Sequence, residues 1–461
     1  MTLTKHKVKE YWYQNNTKIV LLIILAIFLS YSLFLATNLK RGIIPDEPAH
    51  LIFSKHYSTT WGIPEDTVET YSQGWYIQHN PFLYYWINGR AINFIHSIYP
   101  TVSEWQILVS LRILSVLYSI GTLIFCYLLS KEIITDKWWQ LLPPFLLSNT
   151  LMFVFLSGGV NYDNLANLLS MAGLFYLIRV LKKKNFVLNS MFWMICISLG
   201  TLVKYPILPL ALIMFIIWAI FILANRNNLS IENVSSKRVI ILGIILLLTV
   251  TGNLLIYGVN IIKFDSILPA CNQILTEEQC ELSPYFQRHQ EIGLDKKLTV
   301  LESIELGYPN PVKYFFDSWI DFMLYRIFGI LGHMSYFPSH IIIFYKLLLF
   351  WIILLGVRYI EKPSITILSI FGIFVFYLLV LFYQNYNSEL TYGFIQVALQ
   401  GRYIFPVIGL FYVIMSFMLN IVKKKPIEII TLIFIISLFL IGGPIKFILK
   451  YDLIFSYWFI N

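Results

Sequence analysis

Apolar runs of about twenty residues, the length that crosses a bilayer, recur along this chain with short polar links between them. No other feature constrains the fold as strongly. A chain that is 58% hydrophobic and 13% charged carries about half the charge of a soluble domain. A water-soluble fold has no place for that much apolar surface. The first run, from about Ile19 to Ala36, follows Lys5, Lys7, Lys9 and Lys18. It is longer than a signal-peptide core, and no small-residue cleavage site follows it, so it is expected to be an uncleaved first span. Further runs begin near Trp105, Trp138, Leu165, Val187, Tyr205, Val239, His340, Ser364, Tyr403 and Ile427. The expected architecture is an all-α integral membrane protein of about eleven transmembrane helices, forming one polytopic domain over residues 1–461.

The formal net charge of +9 does not point to a nucleic-acid partner, because the positive residues lie in short links between apolar runs. With the N-terminus inside, the inner links hold Lys131 and Lys137, Lys182 to Lys184, Arg226 with Lys237 and Arg238, Arg358 with Lys362, and Lys423 to Lys425. That is the distribution the positive-inside rule demands. Two long segments then fall outside, at 38–104 and 260–339. The first is rich in Trp, Tyr, His and Pro, and is expected to hold short helices lying in the membrane interface. Cys126 and Cys196 sit in apolar runs as small buried residues, and no Cys/His spacing suggests zinc. Cys271 and Cys280 lie in the second outer segment, where an oxidising exterior favours a disulfide; two free thiols are the alternative.

Five polar motifs map to the outer boundary. Pro45-Asp46-Glu47-Pro48-Ala49-His50 follows the first span. Its Pro48 suits a helix start, and His50 lies one turn beyond Asp46. A carboxylate here can act as a general base on a hydroxyl or hold a divalent cation; it can equally be a plain N-cap. His79, before Asn80-Pro81 and Leu83-Tyr84-Tyr85, can contact a phosphate or sugar, or simply open an interfacial helix. Arg90 on that helix can join it or snorkel. Asn161, Asp163 and Asn164 form a tight turn, readable as a ligand site or as turn chemistry. Lys204 opposes the positive-inside bias at an outer helix end. It can bind a lipid phosphate or snorkel. Arg402, in Gly401-Arg402-Tyr403, offers a fork for a phosphate or an interfacial anchor.

Taken together, these motifs resemble the GT-C superfamily of membrane glycosyltransferases, and in particular a bacterial multi-span branch of it. The resemblance rests on the Pro-Asp-Glu-Pro-Ala-His motif, the Asn161-to-Asp163 turn, Lys204-Tyr205 and Gly401-Arg402-Tyr403, in that order over most of the chain. His79-Asn80-Pro81 resembles the His-Pro-Pro stretch of many such enzymes, with Asn80 in place of one proline. The resemblance implies an inverting transferase that uses a polyprenyl-phosphate-linked sugar outside the membrane. It implies Asp46 as base, with Glu47 and His50 in support. Lys204 and Arg402 would hold the donor phosphate, and His79, Arg90, Asn161, Asp163 and Tyr403 would complete the binding site. The implied partners are that donor, membrane lipid, and a glycan, polymer or lipid acceptor of the cell envelope. No cofactor is fixed by the resemblance; the motif departs from the Asp-x-Asp of metal-dependent relatives, and a divalent metal stays open. A transporter, or a scaffold for lipid-linked sugars, is the competing reading.

Overall fold

The computed structural model describes residues 2–227, 235–287, 298–307, 310–329, 339–392, 399–454 and 456–460. Within them the chain is helical, without a β-strand; one antiparallel bridge joins Leu39 to Phe459. Ten helices among the described residues are long and apolar enough to cross a membrane. An eleventh span results if the pair Trp139–Ser148 and Leu151–Ser157, bent by 64°, is counted as one. The expected all-α membrane architecture is the one observed.

Helix α1 (Thr2–Asn38) leads into α2 (Glu47–Ser58), a one-turn α3 (Val68–Tyr71) and α4 (Leu83–Ile98). α4 buries Tyr84, Tyr85, Asn88 and Ile92 against the rest of the protein while Phe94 and Ile98 stay exposed. That is the one-sided pattern of a helix lying on a surface. α5 (Glu104–Ile133) opens with a capping box. Ser103 Oγ accepts from Gln106 N at 3.3 Å, and Gln106 Oε1 accepts from Ser103 N at 2.9 Å.

The bent pair α6 (Leu142–Ser148) and α7 (Leu151–Ser157) breaks at Asn149-Thr150. There Asn149 Nδ2 and Thr150 Oγ1 donate to the carbonyls of Phe145 and Leu146, each at 2.9 Å. Side chains thus satisfy backbone groups that the bend frees, as a break at membrane depth requires. α8 (Asp163–Leu181) stands at the centre, with 78% of its span window buried. The span Ser236–Phe264 is 11% buried and forms a lipid-facing edge. α9 (Phe186–Val203) and α10 (Leu208–Asn225) follow α8. The late spans are α11 (Ile342–Tyr359), α12 (Ile365–Tyr392), α13 (Phe405–Asn420) and α14 (Lys425–Gly442).

The expected second outer segment, 260–339, is described in part; 288–297, 308–309 and 330–338 lie outside the described residues. Cys271 and Cys280 are joined as a disulfide. The helical stretch between 311 and 329 is not a surface loop. It buries Tyr314, Trp319, Met323, Arg326, Ile327 and Phe328, and Arg326 Nη1 donates to Leu399 O at 2.7 Å.

Candidate functional site

Four chain segments converge at one end of the bundle. The turn after α1 delivers Asp46, the first residue of α8 is Asp163, the α9–α10 junction delivers Lys204, and the short helix Gly401–Ile404 delivers Arg402. Asp46 takes the left-handed conformation (φ 62°) at the start of α2, and its carboxylate makes no cap hydrogen bond. A non-glycine residue held there is strained, and the carboxylate meets Arg402 instead of capping the helix. Arg402 Nη2 donates to Asp46 Oδ2 at 2.5 Å.

Lys204 donates to Asp163 Oδ1. Its ammonium also lies 4.6 Å from the Tyr162 ring centre and 4.7 Å from that of Tyr403, two faces suited to a cation. Burial lowers the Lys204 pKa, and the Asp163 carboxylate opposes that effect. Arg402 Nε and Asp163 Oδ2 stand 3.9 Å apart, and neither has a hydrogen-bond partner. The result is an alternating square of two acids and two cations, nearly closed to solvent, with one donor and one acceptor unmatched.

Backbone packing explains why Arg402 follows a glycine. A Cβ on Gly401 would stand 2.6 Å from the Met323 carbonyl oxygen, so the buried 311–329 helix can approach only a residue without a side chain. Asn161 joins two of the turns: its Oδ1 accepts from Asp163 N at 2.8 Å, and its Nδ2 donates to Pro45 O at 3.2 Å.

Two cavities meet at the square. One, of about 440 Å³, has Asp46, Lys204, Arg402 and Tyr403 on its rim and aromatic rings of the first outer segment as walls. The other, of about 470 Å³, shares Asp46, Arg402 and Tyr403. It runs between the start of α10 (Pro206, Pro209) and the last turns of α12 (Gln384, Asn385, Ser388).

The remaining sequence candidates take other places. Glu47 does not reach either cavity: fully buried, it receives Arg112 Nε at 2.8 Å and Nη2 at 2.7 Å. His50 is also fully buried. Its Nδ1 shares a 3.0 Å hydrogen bond with Tyr85 OH, and its ring meets Tyr162 edge-on at 4.5 Å. Burial pushes its pKa down to about 3, so the ring is neutral near pH 7. His79 (φ 66°) pairs with Asn260, Nδ1 to Oδ1 at 2.9 Å, while Asn260 Nδ2 donates to the His79 carbonyl at 2.9 Å. This clamps the two outer segments together. Arg90 donates to the carbonyls of Tyr57 and Thr60 and lies 4.5 Å over Trp61, fixing α4 to α2.

The motifs did not single out Arg112, Trp75 or Tyr285. Arg112 carried one available signal, an arginine two turns into a span whose other charged residues lie only at its ends. The residues present do not fit a divalent cation: Asp46 and Asp163 are each matched to a side-chain cation, and the described residues contain no group of three or more His, Cys, Asp or Glu placed to hold a metal.

Residues 71–267 match the family model described as dolichyl-phosphate-mannose-protein mannosyltransferase. The match begins after Asp46 and ends before Arg402, and covers less than half of the chain. No curated protein matches by sequence. Among solved structures, the Archaeoglobus fulgidus oligosaccharyltransferase tethered to an acceptor peptide with an NVT sequon aligns with a TM-score of 0.50 and 14% identity, over 92% of this chain and 56% of that one. The same archaeon's AglB, in complex with an inhibitory peptide and a dolichol-phosphate, gives 0.48 and 14%, over 94% and 56%. ArnT from Cupriavidus metallidurans bound to undecaprenyl phosphate gives 0.41 and 12%, over 90% and 62%. The chain therefore spans a little over half the length of the structures it resembles. At a TM-score of 0.50 it shares the membrane fold of the first of these. The matched family and the archaeal structures are glycosyltransferases by description.

Proposed function

We propose that this chain is a GT-C-type glycosyltransferase that moves a sugar from a polyprenyl-phosphate-linked donor to a hydroxyl acceptor at the extracytoplasmic face. The observation that carries this reading is the square of Asp46, Arg402, Asp163 and Lys204 at the junction of two cavities. A transfer of this kind needs a carboxylate for the incoming hydroxyl and cations for the departing phosphate, held in one site.

The donor lies with its lipid chain in the bilayer, and its phosphate meets Arg402 and Lys204. Arg402 Nε makes no hydrogen bond within the protein, and a guanidinium fork suits a phosphate oxygen pair. The acceptor oxygen attacks the anomeric carbon from the face opposite the phosphate. The new C–O bond forms as the bond to the phosphate oxygen breaks. The hydroxyl proton passes to Asp46, and the polyprenyl phosphate leaves with the electron pair, its charge met by the two cations. Attack from the opposite face inverts the anomeric configuration. We read the square as extracytoplasmic from the charge pattern: Lys182 to Lys184 and Lys423 to Lys425 follow the ends of α8 and α13 away from the square, and basic links of this kind stay in the cytoplasm.

The test is transfer by purified protein from a panel of polyprenyl-phosphate sugars, read by mass spectrometry of the released lipid phosphate. Asp46→Asn is expected to lower turnover by about 10²–10⁴-fold, and Arg402→Ala by about 10²–10³-fold. Full activity in Asp46→Asn would remove the carboxylate from the chemistry. Absence of turnover with every donor, alongside tight lipid binding, would favour a carrier of lipid-linked sugars.

A further inference from the structure

The cavity beside Asp46 has an aromatic wall that the transfer chemistry does not require. Trp75 and Tyr285 face each other with ring planes 5° apart and centroids at 6.4 Å. Phe53 stacks behind Trp75 at 5.9 Å, and the buried His50 ring backs it at 5.3 Å.

Three devices hold this wall in place, and none touches the acid–cation square. The Asp66 carboxylate accepts from Ile77 N at 2.6 Å and Gln78 N at 3.2 Å, fixing the extended stretch that carries Trp75 and Tyr76. The Tyr76 hydroxyl donates to the Pro269 carbonyl, which ties that stretch to the disulfide-closed part of the second outer segment. Gly74 has φ +90°, and a Cβ there would stand 2.1 Å from the Tyr285 ring. Only glycine allows both that turn and the ring above it.

We infer that Trp75 and Tyr285 form a stacking subsite for a neutral pyranose ring. The negative face of an aromatic ring attracts positively polarised hydrogens, and a pyranose presents a face of C–H bonds with its hydroxyls directed outwards. Those hydroxyls then reach the polar rim of the same cavity. The charges beside this wall are matched to one another, Arg402 to Asp46 and Lys204 to Asp163, so the wall favours an uncharged ring. A peptide backbone would bury amide groups against rings that cannot pair with them. The inference rests on the transferase reading for why a sugar arrives here. The ring itself can come from the donor's sugar or from a saccharide acceptor.

Saturation-transfer NMR on the full-length detergent-purified chain tests this directly, because it reports which ligand hydrogens touch the protein. The probes are methyl glycosides of common hexoses, with sorbitol and a blocked tripeptide as controls. Transfer to the ring C–H protons of at least one glycoside is expected, with both controls silent. Trp75→Ala and Tyr285→Ala should each weaken the signal at least fivefold, Gly74→Ala should do the same by displacing Tyr285, and Trp75→Phe should keep most of it. Binding of undecaprenyl phosphate at wild-type strength confirms that each variant is folded. No transfer from any glycoside, equal transfer to sorbitol or peptide, or unchanged signal in both alanine variants overturns the subsite. Competition by a glycosylated polyprenyl phosphate but not by the bare lipid phosphate assigns the ring to the donor; persistence beside the glycosylated lipid assigns it to the acceptor. A wild-type chain that binds the glycoside but never transfers would remove the transferase reading and leave the subsite standing.

Discussion

Asp46 and Glu47 are neighbours in sequence and have opposite surroundings. Asp46 faces the cavities, whereas Glu47 is fixed to Arg112, which is itself fully buried. Arg112 also donates to the carbonyls of Ala36, Leu39 and Lys40 at 3.1, 2.7 and 3.2 Å, the groups that the end of α1 leaves unmet. Glu47 Oε1 in turn accepts from Val160 N at 3.1 Å. Removing one member strands a buried charge. Arg112→Met is expected to destabilise by about 3–5 kcal/mol, and adding Glu47→Gln should recover part of that loss, both measured as thermal unfolding in detergent. The sequence showed the acidic pair but not this division of labour, because the partner of Glu47 lies 65 residues away and spacing carries no trace of it. His50 supplies a pH dependence. Its folded pKa of about 3 lies below the ordinary 6.5, so between those values the unfolded chain binds a proton that the native one does not. Stability should fall as pH drops from about 6.5 towards 3, by up to about 5 kcal/mol at full linkage. His50→Phe should flatten that slope in a pH series of unfolding temperatures.

At the level of elements, the spans were legible because bilayer thickness imposes a length on every apolar run, whatever its neighbours. The break inside the third run was not, since Asn149 and Thr150 read equally well as ordinary polar residues of a span. Nor was the buried helix between 311 and 329, whose aromatic content resembles the interfacial stretches of the first outer segment. That helix explains Gly401. Gly401→Ala is expected to push the short helix carrying Arg402 away from Met323, lowering transfer at least tenfold while the chain still binds lipid; the pair of assays separates a displaced arginine from an unfolded protein. The Cys271–Cys280 bridge closes a short loop, with a sequence separation of 9, so replacing both by serine should cost about 2–3 kcal/mol of local stability. That loss should be visible as faster hydrogen exchange around Tyr285.

For the molecule as a whole, orientation is the property that the charge pattern makes most legible. Ser97→Cys, at the end of α4, is expected to react with a membrane-impermeant maleimide in intact cells, and Lys183→Cys only after lysis. The reverse pattern would put the square in the cytoplasm. The native thiols do not confuse this readout, because Cys126 is buried, Cys196 lies within a span, and the other two are paired.

The square also has a history in time. Asp46 and Arg402 are 356 residues apart, and at synthesis rates of 5–20 residues per second roughly 20–70 s separate their appearance. Throughout that interval a nascent chain carries an acid without its guanidinium. Chemistry of the proposed kind has to wait for one of the last spans to dock. On the proposed reading, a truncated or stalled chain that lacks the last spans, however many helices it has threaded, would be inert towards lipid carriers.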